Sequence, residues 1–442
     1  MARKAPQRRE QRHSPARSRP GHDHPAALTA PARLTANRRL AQRTRRLYTA
    51  PTVKAGRTAG AATKPIVVAG HVCLDIIPAF AAGASRLDEL LVPGKLVDVG
   101  PATIATGGAV ANTGLALHRL GLPVRPVGKI GADAFGRTIV EIFRAAGVPA
   151  DGLVADPQAA TSYTVVINPP GLDRVFLHCP GANDLFGADD LPAAALDGAS
   201  MLHFGYPPLM RRMYADGGGE LAALLERGRG AGLTTSLDLA LPDPQSPAGR
   251  ADWPRILRRG LPLVDVCVPS LDEIVYMLDR RRGEEVRRRT AAGVPLGGLA
   301  PDDVRAAADA LIAQGVAIAM IKLGEQGVFL RVTPDAGRLA AGGAAAPADP
   351  SAWAGATCHA PCFEAAVAGT TGAGDCAIAG FLAALAQGCG PQEALRMAAA
   401  AGAASVERPD ATSGVPPWPQ LAARVAAGWP RNPAAFAFPE TV

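Results

Sequence analysis

The stretch Ala368-Gly369-Thr370-Thr371-Gly372-Ala373-Gly374-Asp375 runs directly into Cys376-Ala377-Ile378-Ala379-Gly380-Phe381-Leu382-Ala383-Ala384-Leu385. Small residues let backbone N–H groups curl around an anion, and the apolar run predicts a helix whose dipole adds positive potential there. A carboxylate at such a place would repel a bound phosphate. It makes sense where Asp375 takes a proton from a hydroxyl that then attacks a phosphoryl group. A Gly-rich turn with Asp375 capping a helix is the plainer reading of these residues alone.

Upstream of this loop, from Lys64 onward, short apolar runs alternate with helical patterns. Strands are expected at Ile66–Ala69, Met201–Phe204, Thr234–Leu239, Val264–Val268, Ala317–Lys322 and Gly327–Val332. Helices are expected at Ala109–Leu120, Arg137–Ala146, Leu221–Arg229, Val304–Gln314, Cys376–Gln387 and Gln392–Val406. Strands that are apolar throughout are buried on both faces, and strand–helix alternation implies a mostly parallel sheet with helices on both sides. Two segments break this rhythm, residues 85–106 and 161–180. The second has two β-rich arms around Pro169-Pro170-Gly171-Leu172-Asp173, a hairpin pattern. Together they predict a small β lid outside the main sheet. Arg280–Ala300 and Asp335–Thr357 read as surface insertions.

Several residues carry candidate chemistry. Asp75 follows the first strand, where ligands of open α/β sheets collect, and its carboxylate suits two neighbouring hydroxyls of a polyol. A solvated turn aspartate is the alternative. Gly107 and Gly108 open the helix that Gly121 closes, so a ligand can approach bare backbone, and Asn112 lies one turn inside with both a donor and an acceptor. Asn183, after the lid hairpin, is a further candidate for the cleft, with an Asx turn as the other reading. Glu273 stands at a strand end near a helix start, suited either to Mg²⁺ through water or to the helix dipole. Lys322 ends a strand and can reach a nucleotide phosphate, with Gly324 and Gly327 shaping the turn behind it; a plain strand-end lysine is the alternative.

Charge and cysteines bound the remainder. Residues 1–63 hold 15 Lys+Arg and 2 Asp+Glu, a net of +13, so the rest of the chain carries 7 − 13 = −6. That Arg-, Pro- and Ala-rich tail is expected to be disordered. It reads as an inert extension. An organellar transit peptide and a non-specific polyanion-binding arm are the alternatives, and no aromatic interleaving favours nucleic acid. The seven cysteines are odd in number and scattered, which suggests reduced thiols in a cytosol. Cys358-His359-x-x-Cys362 lacks the second pair that a zinc site needs. No run of about 18 apolar residues suggests a membrane span.

With Gly107-Gly108-x-x-x-Asn112, Leu120-Gly121 and Thr371-Gly372-Ala373-Gly374-Asp375 in this order, behind Asp75, the chain resembles the ribokinase-like (PfkB-type) carbohydrate kinase family over roughly residues 64–415. The resemblance implies a three-layer α/β/α sandwich with a β lid, in a kinase domain over 64–442. It implies transfer of the γ-phosphoryl group of ATP to a sugar hydroxyl. Asp375 would then be the base, and the N–H groups of Gly372, Ala373 and Gly374 the anion hole. Asp75, Gly107, Gly108, Asn112 and Asn183 would hold the sugar. Lys322, Gly324, Gly327 and Thr371 would hold the nucleotide, with Arg408–Gly414 bordering the adenine, and Glu273 would organise Mg²⁺. A nucleoside or other small-alcohol kinase of the same fold, or a non-catalytic sugar- or nucleotide-binding protein, are the alternatives. A cytoplasmic location and a homodimer through the lid are expected. Two positions depart from the pattern. Gly369 stands where many members carry an Asp of a monovalent-cation site, so potassium activation is not expected. Ser270 replaces the Asn that usually precedes Glu273 in the magnesium motif. The chain has no Gly-x4-Gly-Lys-Ser/Thr loop and no Gly-x-Gly-x-x-Gly after its first strand, which argues against P-loop and dinucleotide-binding folds.

Overall fold

The computed structural model describes residues 63–81, 86–171, 175–433, 436 and 438–439, so the basic tail expected over 1–63 lies almost wholly outside the described residues. The central sheet is built from apolar runs buried on both faces. Strands β1 (Ile66–Gly70), β4 (Val124–Gly131), β5 (Leu153–Asp156), β8 (Met201–Gly205), β9 (Thr234–Leu237), β10 (Val266–Cys267), β11 (Ile318–Lys322), β12 (Val328–Val332) and β13 (Thr357–Ala360) form it. Their order is β13-β12-β11-β10-β9-β8-β1-β4-β5. The pairs from β11 through β5 are parallel, while β12 runs antiparallel to both β11 and β13.

Alternate residues of β1 feed two different cores, which is what makes three layers. Ile66 and Val68 pack with helices α1 (Ala109–Arg119), α7 (Ala373–Ala386) and α8 (Pro391–Ser405). Val67 and Ala69 pack on the other face with α3 (Gly219–Gly230), α4 (Leu271–Leu278) and α6 (Pro301–Ala313). Helices α7 and α8 touch closely because both are rich in small residues. A Cβ on Gly380 would lie 2.5 Å from the Met397 carbonyl oxygen.

The lid is a separate four-stranded sheet, ordered β3-β2-β6-β7. Its strands are β2 (Cys73–Ala79), β3 (Gly100–Gly107), β6 (Tyr163–Ile167) and β7 (Val175–Cys179). The inner side of the lid seats Leu74 and Tyr163 against α1 and α2 (Ala134–Ala145). Strand β2 goes beyond the sequence expectation. Only His71 and Val72 separate it from β1, and Gly70, at a φ of 124°, is the single residue that marks the passage between sheets. Strand β4 also lacks a sequence signal, because Pro126, Gly128 and Gly131 read against a strand.

The two expected insertions are better ordered than their composition suggests. Arg280–Ala291 forms helix α5, capped by Asp279, and its Gly283 lies so close to Tyr276 that a Cβ there would be 2.4 Å from Tyr276 Cα. Asp335–Thr357 contains short helices at Ala336–Ala340 and Pro350–Trp353, whose Leu339 and Trp353 plug the core at 1% exposure each. None of the seven cysteines is in a disulfide. Cys358 is buried in β13, His359 Nε2 lies 2.8 Å from the Gln326 carbonyl oxygen, and Cys362 Sγ donates to Gly324 O. No helix among the described residues is long and apolar enough to cross a membrane.

Candidate active site

The site forms where β1 hands the chain to the lid. β3 runs antiparallel to β2 and sets Gly107 opposite Cys73, next to Asp75. A Cβ on Gly107 would be 2.3 Å from Asp75 Oδ2, and one on Gly108 would be 2.5 Å from His71 Nδ1. Gly108 also has a φ of 85°, so a side chain there is excluded twice over. Helix α1 starts at the next residue, and its Asn112 is turned toward the N-terminus of α7.

That second N-terminus carries Asp375. Gly372 takes a left-handed conformation (φ 72°), and the helical ladder begins with Cys376 N donating to Gly372 O, so the N–H groups of Gly374 and Asp375 lie ahead of it. The Ala373 N–H points back at Thr370 O at 3.4 Å, so a turn contact competes for that donor. Asp375 is 3% exposed and its carboxylate accepts from three side chains. Asn112 Nδ2 donates to Oδ2 at 3.0 Å, across 263 positions of sequence. Thr113 Oγ1 donates to Oδ1 at 3.2 Å. The Tyr206 hydroxyl lies 2.9 Å from Oδ1 and 2.8 Å from Oδ2. Burial pushes the Asp375 pKa up, while Lys322, Tyr206, Asn112 and Thr113 oppose the shift.

Tyr206 was not foreseen from sequence. It follows β8 in a left-handed conformation (φ 68°, ψ 45°), which is unusual for a residue with a side chain. Asp238, just beyond β9, was also missed. It is fully buried, and Lys322 Nζ sits 2.7 Å from its Oδ1. Lys322 Nζ is also 4.0 Å from Glu273 Oε2, and its side chain passes under Gly374. Burial alone would lower the Lys322 pKa, but Asp238, Glu273 and Asp375 outweigh it and hold the ammonium above its ordinary range. Glu273 is the third residue of α4, where its Oε2 accepts from Ser270 N at 2.6 Å in a capping box. Its pKa is raised by burial, against the pull of Lys322.

Beside Asp375 a cleft of about 420 Å³ brings together Lys322, Gly324, Gly327, Thr370 and Gly374, and continues along Phe363, Val367 and Val406. Thr371 is not part of this wall; its neighbour Thr370 is. The segment expected to border the adenine, Arg408–Gly414, does not line this cleft; its residues Asp410–Ser413 line a second cavity with Thr106 and Asn112. α8 ends at Ser405, Ala368 N and Gly369 N both donate to Val406 O, and the following residues back the Gly369–Gly374 loop from behind. A Cβ on Gly369 would be 2.9 Å from Pro409 O, and one on Gly372 would be 2.6 Å from Ala411 Cβ. This close backing leaves no room at Gly369 for the carboxylate of a cation site.

Asn183 departs from expectation. It is fully buried, donates Nδ2 to Val72 O at 2.9 Å and accepts from Val72 N at 3.3 Å. Both ends of its amide are spent on the backbone joining β1 to β2, so it braces that passage rather than lining the cleft.

Asp75 is 9% exposed. Burial pushes its carboxyl up to about 6 from 3.8, against hydrogen bonds from Cys73 and Thr164. A folded-state pKa above the unfolded one gives stability that is full below pH 3.8 and is lost as the pH rises through about 6. Asp75→Asn is therefore expected to gain about 1.5 kcal/mol on the wild type between about pH 5 and about pH 8. Denaturant titrations at both pH values check this; a pH-independent difference would contradict it.

A family model described as pfkB family carbohydrate kinase matches residues 66–418. The chain belongs to that family. Among curated relatives, the chain is 34% identical over 149 residues to fructokinase-1 of Zea mays, covering 33% of this chain and 42% of that protein. It is 33% identical over 142 residues to the fructokinase of Solanum tuberosum, covering 32% and 41%. The chain thus spans about two-fifths of the length of the curated relatives it matches. Among solved structures, a fructokinase with bound ATP from Xylella fastidiosa superposes with a TM-score of 0.61 at 22% identity, covering 83% of this chain and 99% of that one. The Arabidopsis thaliana ribokinase complexed with ribose and ATP gives 0.60 at 20%, covering 82% and 98%. These likenesses establish the ribokinase-like fold.

Proposed function

We propose that the protein transfers the γ-phosphoryl group of ATP to a hydroxyl of a sugar, with Asp375 as the base. The observation that carries this reading is the 3.0 Å bond between Asn112 and Asp375, which joins the Gly107-Gly108 helix to the anion loop in one pocket. The acceptor lies between that bond and Asp75. ATP lies in the neighbouring cleft with its phosphates toward Gly374 and Lys322 and its base along Phe363, Val367 and Val406. The names of the fructokinase and ribokinase relatives support both ligand classes.

Asp375 accepts the proton of the acceptor hydroxyl. The freed oxygen bonds to the γ-phosphorus while the bond to the β-phosphate's bridging oxygen breaks, and ADP leaves. Its raised pKa makes Asp375 a better base than an exposed carboxylate. Backbone N–H groups at the start of α7, those of Gly374 and Asp375 ahead of the helical ladder foremost, face the charge that develops on phosphate. Closing the lid over the acceptor keeps water from taking its place.

Among the described residues no three His, Cys, Asp or Glu side chains gather into a metal site. Glu273 and Asp238, whose Oδ2 is buried without a hydrogen-bond partner, suit instead an ion carried in with the nucleotide. Glu273 would hold Mg²⁺ through water. When bound, the ion neutralises charge on the β- and γ-phosphates. The exposed lid residues Ile104, Phe176 and Leu177 support pairing with a second copy of the chain.

The test is ADP release with D-fructose, D-ribose, other hexoses and nucleosides as acceptors. Sugar-dependent release with little turnover in the absence of acceptor is expected. Release that prefers nucleosides would move the assignment to that class, and release independent of any acceptor would sink it.

Tyr206 supplies a second handle. Its hydroxyl stabilises the ionised carboxylate of Asp375 in the free protein, and removing that donor raises the carboxyl pKa. Tyr206→Phe is expected to move the acid limb of kcat/KM upward by about 0.5–1 pH unit. A limb that stays or moves down would contradict the contact.

A further inference from the structure

His71 has no hydrogen-bonding task for its ring in the fold. It is 2% exposed, and among the described residues neither ring nitrogen has a partner. Such buried polar atoms are uncommon and cost stability, so they call for an explanation. The backbone of His71 is pinned at a junction: its N–H donates to Gly205 O at 3.2 Å, and its carbonyl accepts from Val110 N at 3.1 Å. The ring centroid lies 6.0 Å from that of Tyr206 and 5.2 Å from that of His178. His178 Nδ1 in turn is 3.0 Å from Thr164 Oγ1, and Thr164 is the register partner of Asp75. His71 therefore stands midway along a row of side chains that leads from Asp375 through Tyr206 to Asp75, and Gly108 places bare backbone where a side chain would press on its Nδ1.

Tyr206 occupies both oxygens of the base, the place that the reacting hydroxyl has to take. We infer that the acceptor displaces the Tyr206 phenol from Asp375 and that a hydroxyl next to the reacting one engages a ring nitrogen of His71. His71 is thereby a specificity-determining residue for an uncharged polyol. Burial and the nearby His178 hold its pKa well below the ordinary value, so the ring is neutral. A neutral imidazole offers one donor and one acceptor, and a hydroxyl can meet either of them. Both nitrogens are shielded from solvent here, and Tyr206 is one of the two rings nearest to His71, so movement of the phenol would open a way to the imidazole. The left-handed backbone of Tyr206 fits a residue held in one of two positions. This inference rests on the kinase reading above.

The experiment compares wild type, His71→Phe and His71→Asn with D-fructose, D-ribose and adenosine as probes. Binding is followed by calorimetry, turnover by ADP release and folding by Tm. His71→Phe is expected to weaken binding and raise KM about 10–100-fold for whichever probe the wild type takes, with the loss in KM far exceeding that in kcat. Its Tm should hold or rise, because no unpaired ring nitrogen stays buried. His71→Asn should recover part of the affinity. Unchanged KM and Kd, or losses that track a falling Tm in both variants, would overturn the inference while leaving the kinase reading in place. Binding without turnover in the wild type, lost in His71→Phe, would keep the inference and sink the kinase reading. Neither binding nor turnover with any probe would overturn both.

Discussion

Asp375→Asn is expected to lower kcat by about 10²–10⁴-fold while leaving the fold and the affinity for ATP nearly unchanged. The replacement keeps the shape of a side chain held by Asn112, Thr113 and Tyr206, and the two hydroxyl partners can rotate to accept from an amide. It removes the lone pair that takes the acceptor's proton. It also removes a buried charge, so Tm should not fall. Steady-state kinetics on the acceptor that the wild type uses, with calorimetry of ATP binding, separate these effects. Turnover close to wild type would take Asp375 out of the mechanism. Lost turnover with lost folding would show that its bonds to α1 serve structure first.

Lys322→Met is expected to cost about 3–5 kcal/mol of folding stability. The lysine is buried against Asp238 at 2.7 Å, and Asp238 is wholly removed from solvent. Taking away the ammonium leaves that carboxylate uncompensated next to Glu273 and Asp375. Asp238→Leu in the same chain removes the stranded charge, so the double variant should recover most of the loss. On the proposed placement of ATP its affinity should not recover with it, because the cation assigned to the phosphates is still missing. Denaturant unfolding of both variants checks the account. A cost below about 1 kcal/mol for Lys322→Met would mean that water reaches the pair and screens it.

Features set by the backbone were legible in the sequence. Gly107, Gly108, Gly372 and Gly374 stand where the chain must turn sharply or leave room, and glycine is the residue that permits it. The apolar runs of β1, β8 and β11 announced strands buried on both faces. Asp375 drew notice as a carboxylate on a glycine-rich loop, and the structure buries it at the start of α7 against Asn112, Thr113 and Tyr206. Features set by long-range contact were not. Tyr206 gains its role from meeting Asp375 across 169 positions, and Asp238 from meeting Lys322 across 84. Nothing local to either residue announces those encounters. Asn183 misled for the same reason: its position beyond the lid hairpin pointed to the cleft, while the partner that claims its amide is the backbone of Val72, 111 positions away. Strand β2 escaped notice because the passage from the main sheet to the lid takes place without a glycine–proline turn.

The most direct test of the account follows the phosphorus itself. Protein is mixed with ATP radiolabelled on its γ-phosphorus, with and without D-fructose or D-ribose, quenched in acid within one turnover, and the label is apportioned among ATP, sugar ester, inorganic phosphate and protein. The account predicts label passing from ATP to a sugar ester only when the sugar is present, with none on the protein. Label held by the protein, or released as inorganic phosphate whether or not sugar is there, would contradict it.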